Sequence, residues 1–349
     1  MKNMNELKAN FSAFQSFIKL HRKAAILLFA TAAILFLAIG VWVAAANIPS
    51  GPPVVFSDHE FERLVREQIE KPRGTIRQGE LDQITELTLS KSSKPLSMED
   101  LKYFLNISSL SILDCQIKSI HPIAQHNQII TLKISGAGLK SEDLAPLWQM
   151  TNLRRLDLSN NCIQEIPYAI GQLKELQTLI ISNNQIKTLV PVLSTLRLKQ
   201  LYADQNDISS LVVSEAQNRL QILSLNWNPL QTLSIAQLSA LKRLEIGWTN
   251  LSNFDFLRTN KTLTTLNLSH YHLSDALLQC SMLETLVLNG RTELEDKEIQ
   301  ILKQLPNFNS IYVDDHFDRS ALDFMVGNFK TADLSTKIYL VGKKNHMID

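Results

Sequence analysis

Cysteine is scarce in this sequence. Its 349 residues contain three cysteines, Cys115, Cys162 and Cys280, which are too few and too scattered to form a disulfide framework. We therefore expect buried apolar side chains to hold the fold together. We expect Cys115 and Cys162 to pack in turns and Cys280 to be buried, where a thiol is a poor nucleophile.

An excess of charge of either sign is also missing. The formal net charge is +1, and we find no dense run of Lys and Arg beyond the first 23 residues. A near-neutral chain lacks the broad positive surface that holds a polyanion, so we expect no nucleic-acid partner. Any partner must be recognised by a local patch of side chains.

Charge is absent altogether from residues 24–46, AAILLFATAAILFLAIGVWVAAA. As a helix this stretch would be about 34 Å long, which is enough to cross the hydrocarbon core of a bilayer. Lys19, Arg22 and Lys23 precede it and the first charge after it is Asp58, so the positive-inside rule keeps residues 1–23 in the cytoplasm. The alternative is a cleaved signal peptide, because the small residues before Asn47 offer a cleavage site near residue 46.

Residues 47–55 contain three prolines and a glycine, which favours an extended linker between the predicted span and the remainder of the chain. The sequence thus predicts a cell-membrane protein with a single transmembrane helix (a signal anchor) and an extracytoplasmic domain.

A repeat organises the rest of the chain. The unit L-x-x-L-x-L-x-x-N-x-L is complete in LRRLDLSNNCI, at Leu153, Leu156, Leu158, Asn161 and Ile163, and recurs every 20 to 25 residues. The first positions of the successive units are Ile84, Ile107, Ile129, Leu153, Leu176, Leu198, Leu220, Leu241, Leu263, Leu283 and Phe308.

This pattern resembles the leucine-rich repeat family over residues 81–315. The segment before it, residues 56–80, is similar to the helical cap of internalin-like bacterial surface proteins. Here we predict a capping box formed by Ser57 and Glu60, followed by a helix with one apolar face. That face consists of Phe61, Leu64, Val65 and Ile69. Residues 316–349 are predicted to cap the other end of the repeats, where the last coil would otherwise expose apolar surface.

The predicted fold is α/β: a curved leucine-rich repeat solenoid with a parallel β-sheet on its concave face. In each L-x-L segment the leucines point inward and the residue between them points out. Asn161, Asn184, Asn206 and Asn228 fill the ninth position of four consecutive repeats. We expect their amides to bond backbone groups inside the turns.

Registering the repeats also predicts which side chains line the concave face. The eighth position holds Trp227, Trp248 and His270 in three adjacent repeats, so these rings should be neighbours about one strand spacing apart. Exposed aromatic rings are typical of interface anchors. The ligand-binding residues predicted in this way are Ile180, Tyr202, Asp204, Ile222, Trp227, Glu245, Trp248 and His270. The competing interpretation has both indoles folding back over the rim of the solenoid.

Neither catalysis nor metal binding is indicated by spacing. His270 and His272 would share a strand face, but no third ligand is evident in the sequence. We therefore predict a protein with no catalytic residues, metal or cofactor. The predicted function is the binding of a protein or peptide, or of a glycan, through the concave face. The alternative is an envelope scaffold that acts through its convex face or membrane span.

Overall fold

The structure, a computed structural model, describes residues 50–195, 198–217, 219–331, 336–341 and 346–348. The chain divides into two compact units. In the described part of the smaller unit, residues 50–53 and 77–80, Pro53 pairs antiparallel with Arg77. The larger unit, residues 54–76 and 81–349, carries the repeats.

The predicted transmembrane segment, residues 24–46, lies outside the described residues. Among the residues that are described, no helix has both the length and the apolarity that crossing a membrane requires.

The larger unit is built on a sheet of thirteen strands, in which twelve successive strands run parallel and the last joins antiparallel. A separate parallel pair is formed by β7 and β9. The strands are β1 (Glu86–Ser90), β2 (Ser109–Leu113), β3 (Thr131–Ser135), β4 (Arg155–Asp157), β5 (Thr178–Ile180), β6 (Gln200–Tyr202), β7 (Ser210–Val212), β8 (Ile222–Ser224), β9 (Thr232–Ser234), β10 (Arg243–Glu245), β11 (Thr265–Asn267), β12 (Thr285–Val287), β13 (Ser310–Asp314), β14 (Lys337–Val341) and β15 (His346–Ile348).

Short helices connect many of these strands. The α-helices are α1 (His59–Gln68), α2 (Gln78–Leu81), α3 (His121–Ala124), α4 (Val190–Thr195), α5 (Asp296–Lys303) and α6 (Arg319–Thr331). The 3-10 helices span Glu99–Tyr103, Ser141–Gln149, Tyr168–Gln172, Asp255–Thr259 and Asp275–Gln279.

The pairing of the strands confirms the predicted phase of the repeats. Equivalent positions align from one rung to the next, so that Leu201 lies beside Leu223, and Glu245 beside Asn267. The inward leucines are almost completely buried. The sheet continues into the predicted C-terminal cap, where Tyr339 on β14 aligns with Tyr312 on β13. The described part of the larger unit is therefore an α/β solenoid with one continuous apolar core.

The ninth-position asparagines make the turn contacts that the sequence predicts. The Oδ1 atom of Asn184 accepts a hydrogen bond from the N–H of Ile163 at 3.0 Å. Its Nδ2 atom donates to the carbonyls of Leu158 and Ile181, both at 3.0 Å. Asn161, Asn206 and Asn228 repeat this pattern. Each amide therefore joins its own coil to the preceding one.

The predicted capping box at the first helix is wrong. The N-cap of α1 is Asp58, whose Oδ1 accepts the N–H groups of Glu60 at 2.8 Å and Phe61 at 3.1 Å. Ser57 instead donates both its backbone N–H and its hydroxyl to Asp100, a fully buried carboxylate. Because Asp100 accepts both Ser57 donors, the Ser57 hydroxyl does not cap the helix. The Asp58 carboxylate, which is a stronger acceptor than a hydroxyl, accepts the exposed N–H groups of the helix instead.

The three cysteines are free. Cys115 is buried in a turn, where its Sγ accepts the N–H of Ser92 at 3.2 Å. The prediction that Cys162 packs in a turn is wrong, because that side chain is exposed. Cys162 is exposed because the buried amide of the preceding residue, Asn161, already occupies the interior of the turn.

Candidate functional site

The eighth repeat position has a fixed backbone conformation along the solenoid. Its residues have φ between 53° and 73° in ten repeats, which is the left-handed region. Glycine and asparagine tolerate this region, whereas a bulky side chain there is unusual. Trp227, at 57°, and Trp248, at 59°, are therefore held in a conformation that their residue type disfavours.

The rings of Trp227, Trp248 and His270 form one parallel stack, which we call the aromatic ladder. The ring centroids of Trp227 and Trp248 are 4.6 Å apart with an interplanar angle of 7°. Those of Trp248 and His270 are 4.7 Å apart with an angle of 14°. The structure thus places the three side chains together, as the repeat register predicts.

The two tryptophans differ in exposure. Trp227 is 53% exposed, while Trp248 is half-buried. Trp248 lies against Gly290: a Cβ on that glycine would stand 2.4 Å from Cζ2 of the indole. The Trp248 indole therefore packs over the solenoid, as the rim-packing interpretation expected of both tryptophans. The Trp227 indole remains largely in water.

The polar atoms of the outward-facing aromatic rings form no hydrogen bond within the described residues. Within the described ranges, the indole N–H groups of the aromatic ladder and the hydroxyl of Tyr202 make no hydrogen bond to the protein. Aromatic hydroxyls elsewhere do form bonds, since the Tyr271 hydroxyl contacts Thr249 at 2.7 Å and accepts the N–H of Leu251. These rings thus keep their polar atoms available for other hydrogen bonds.

A polar network adjoins the aromatic ladder. Asp204 accepts the hydroxyl of Ser224 and the N–H of Asn226, the latter at 2.9 Å. The Nδ2 atom of Asn226 donates to Glu245 at 2.9 Å, and Glu245 is also paired with Arg243. Burial raises the pKa of the Asp204 carboxyl above its usual value, against the opposing effect of these hydrogen bonds. The network fixes the loops that present the tryptophans.

The other predicted residues lie on the sheet beside this network. Tyr202 aligns with Ile180 on one side and Ser224 on the other, and it is half-buried. Ile222 aligns with Gln200, so it is a diagonal neighbour of Tyr202 rather than its direct partner. All eight predicted residues therefore lie on consecutive rungs of the sheet.

The repeat pattern did not reveal a second stack on the same face. The rings of Tyr312 and Tyr339, which we call the tyrosine pair, have centroids 4.6 Å apart and an interplanar angle of 13°. Tyr339 lies beyond the last L-x-x-L unit. The apolar alternation of Ile338 and Leu340 around it was the available signal.

His272 lies beside two acidic side chains, in a cluster that does not include His270. Its Nδ1 lies 3.4 Å from Glu295 and 3.5 Å from Glu298. Arg291 contacts both carboxylate oxygens of Glu298 at 2.7 Å, and both of these side chains are buried. Burial opposes ionisation of Glu298, but the hydrogen bonds and charge of Arg291, together with the N–H groups of Leu273 and Glu295, lower the pKa of Glu298. The cluster is a bidentate ion pair with a histidine at its edge.

Cys280 is buried as expected. Burial raises the pKa of its thiol to about 11, so little thiolate is present near neutral pH.

The comparisons with known proteins agree with this architecture. Residues 106–264 match a family described as a leucine-rich repeat region. Residues 106–264 are therefore a leucine-rich repeat region, and solved structures with a similar fold include internalins. The internalin InlF of Listeria monocytogenes has a TM-score of 0.51 at 21% identity, covering 84% of this chain and 98% of that one. The functional domain of InlJ from the same species has a TM-score of 0.52 at 20% identity, covering 74% and 60%. At these identities the likeness concerns the fold alone.

Curated relatives share the repeats over part of their length. An adenylate cyclase of Podospora anserina is 29% identical, covering 44% of this chain and 10% of that protein. The volume-regulated anion channel subunit LRRC8D of Rattus norvegicus is also 29% identical, covering 43% and 18%. The chain therefore spans less than a fifth of the length of these relatives, and the matches are distant repeat matches.

Proposed function

We propose that this chain is a membrane-anchored, extracytoplasmic binding protein that takes a protein or peptide partner at the aromatic ladder. Leucine-rich repeat proteins generally mediate protein–protein interaction. The observation that carries the proposal is the stack of three concave rings that have uncommitted polar atoms, with Trp227 53% exposed. Tryptophan is enriched among the residues that contribute most to binding energy at interfaces.

The surroundings of the aromatic ladder also support binding. A hot spot needs side chains that are already held in place before the partner arrives. Stacking fixes the ring planes, and the bonds that join Asp204, Asn226 and Glu245 fix the loops beneath them. Little side-chain entropy is then lost on association.

Crosslinking on intact cells tests this site. A photoreactive amino acid at Gln205, the exposed eighth-position residue next to Trp227, is expected to capture a partner. Substitution of Trp227 and Trp248 by Ala should abolish the crosslinked product. The matched control is Tyr168→Ala, which removes a 61% exposed ring from a 3-10 helix outside the sheet. Undiminished capture by the double tryptophan variant would refute concave binding and favour a scaffold acting through the convex face.

The anchor is tested separately. Its support is the uncharged run of residues 24–46 with three basic residues before it. We expect the chain to sediment with membranes after carbonate extraction and to keep residues 1–23. A soluble form whose N-terminus maps near residue 47 would instead establish cleavage and secretion.

A further inference from the structure

The sheet carries a second aromatic contact beside the first. The tyrosine pair lies within the strands, in register with Glu245, whereas the aromatic ladder lies three residues further along, beyond the strand ends. The aromatic ladder occupies the rungs of β8, β10 and β11, and the tyrosine pair occupies those of β13 and β14. Only the rung of β12 separates them. At about 4.8 Å per rung, five rungs place Trp227 and Tyr339 about 24 Å apart along the sheet.

The outward strand positions of the intervening rung hold short side chains, Thr285 and Val287, and the Trp248 indole covers Gly290 beyond the strand end. A ligand in contact with both stacks would therefore cross β12 over short side chains. An extended peptide advances about 3.3 Å per residue, so about seven residues would bridge the distance.

Acidic groups flank this path at both ends. Asp204 lies beside the Trp227 rung, Asp314 is the last residue of the strand that carries Tyr312, and Asp315 follows it. In the described part of the chain, no lysine or arginine pairs with any of these three carboxylates. At the far end, both aspartates contact His316, and Asp314 also accepts the N–H of Gly290 at 2.8 Å. Among the described residues, the positive charges beside the path are Arg243, which is paired with Glu245, and Lys337, which is exposed two residues before Tyr339; the three aspartates outnumber the one unpaired lysine.

The rings suit cationic side chains as well. Trp227 ends the aromatic ladder with one face not covered by a neighbouring ring. An arginine or lysine over a tryptophan or tyrosine face is attracted by the ring quadrupole. The tyrosine hydroxyls make no hydrogen bond within the described residues, so they remain available to the backbone of a ligand.

We infer that the ligand is an extended, basic peptide segment that lies along the solenoid axis and contacts both the aromatic ladder and the tyrosine pair. This inference rests on the proposed function and adds the chemistry and path of the partner. It also gives the C-terminal strand β14 a part in binding.

Calorimetric titration of the full chain in detergent tests the inference. The probes are an alternating Arg-Ser peptide of about eight residues, a Glu-Ser peptide of the same length and a chitin oligosaccharide. We expect the Arg-Ser peptide to bind, with an affinity that falls as salt is added, and the Glu-Ser peptide not to bind. Failure of the Arg-Ser peptide to bind, or preferential binding of the oligosaccharide at this face, overturns the inference.

Variants separate the two stacks. Tyr312→Leu combined with Tyr339→Leu should weaken Arg-Ser binding at least about tenfold. Replacing both tyrosines by Phe keeps the rings and should preserve most of the affinity. Tyr168→Leu, the exposed control, should change nothing. Circular dichroism verifies that each variant is folded.

The outcomes distinguish this inference from the proposed function. If Trp227→Leu abolishes binding while the double tyrosine variant binds like the parent, the ligand is confined to the aromatic ladder. The axial path is then wrong and the concave site stands. If neither change affects binding of the Arg-Ser peptide, the peptide binds elsewhere and the inference fails, while the proposed function is judged by the crosslinking experiment.

Discussion

Gly290→Ala is the substitution that most directly tests how the aromatic ladder is held. Gly290 has a φ of 73°, and a Cβ there would stand 2.4 Å and 2.5 Å from two carbons of the Trp248 indole. Contacts this short force the ring to move. We therefore expect the Trp248 ring to leave its stacked position between Trp227 and His270.

The free-energy cost of Gly290→Ala has two parts, and a matched variant separates them. Any side chain in the left-handed region costs roughly 1–2 kcal/mol. Gly138 has nearly the same φ, 72°, but nothing lies within 4 Å of its would-be Cβ. Gly138→Ala should therefore show the backbone cost alone. Gly290→Ala should lose a further 1–3 kcal/mol or so, since two ring stacks of about 0.5–1.5 kcal/mol each are disrupted.

Two measurements check this prediction. Urea denaturation gives the free energy of unfolding of both alanine variants. Circular dichroism in the indole region reports the exciton coupling of stacked tryptophans, which should disappear in Gly290→Ala and persist in Gly138→Ala. Equal stabilities and an unchanged coupling signal in the two variants would refute the idea that Gly290 makes room for the stack.

Three further outcomes are expected in other parts of the fold. Asn184→Ala should lower the free energy of unfolding by about 3 kcal/mol, because it leaves buried backbone groups of two coils without partners; a loss below about 1 kcal/mol in urea denaturation would contradict this. The pKa of Glu298 is lowered in the native state, so its ion pair stabilises the protein above the unfolded pKa, and this stability is lost as the pH falls through the native pKa. Glu298→Gln should therefore be less stable at neutral pH and show a shallower decline in acid; an unchanged acid profile would exclude that role. Cys162 should react with a thiol reagent in the native protein, and Cys280 only after unfolding; equal labelling rates would show that the burial of Cys280 is wrong.

The spacing of the leucines was enough to predict which rungs are neighbours. Parallel pairing of successive coils follows from a repeat that returns to the same inward position every 20 to 25 residues. That register alone predicts that Trp227, Trp248 and His270 lie together. It also identifies the asparagine position, because a buried amide has a definite set of backbone partners.

Features that the spacing did not predict depend on side-chain geometry and on residues outside the pattern. The left-handed backbone that orients the tryptophans and the space left by Gly290 are three-dimensional properties. Tyr339 was missed because β14 follows an α-helix rather than another repeat unit. The N-cap was misassigned because Ser57 bonds Asp100, which is 43 residues away.

The energetics of the aromatic ladder bear on why Trp227 is there. Rungs about 4.8 Å apart bring equivalent rings to 4.6 Å and 4.7 Å, so stacking needs no distortion of the sheet. Three bulky residues in the left-handed region cost roughly 3–6 kcal/mol, whereas two stacks contribute about 1–3 kcal/mol. Trp248 offsets part of the difference by covering Gly290. Trp227 leaves 53% of its surface in water, so its contribution to the folded chain is small. A left-handed asparagine or glycine would serve the turn at lower cost, and the presence of an indole there favours a contact with another molecule.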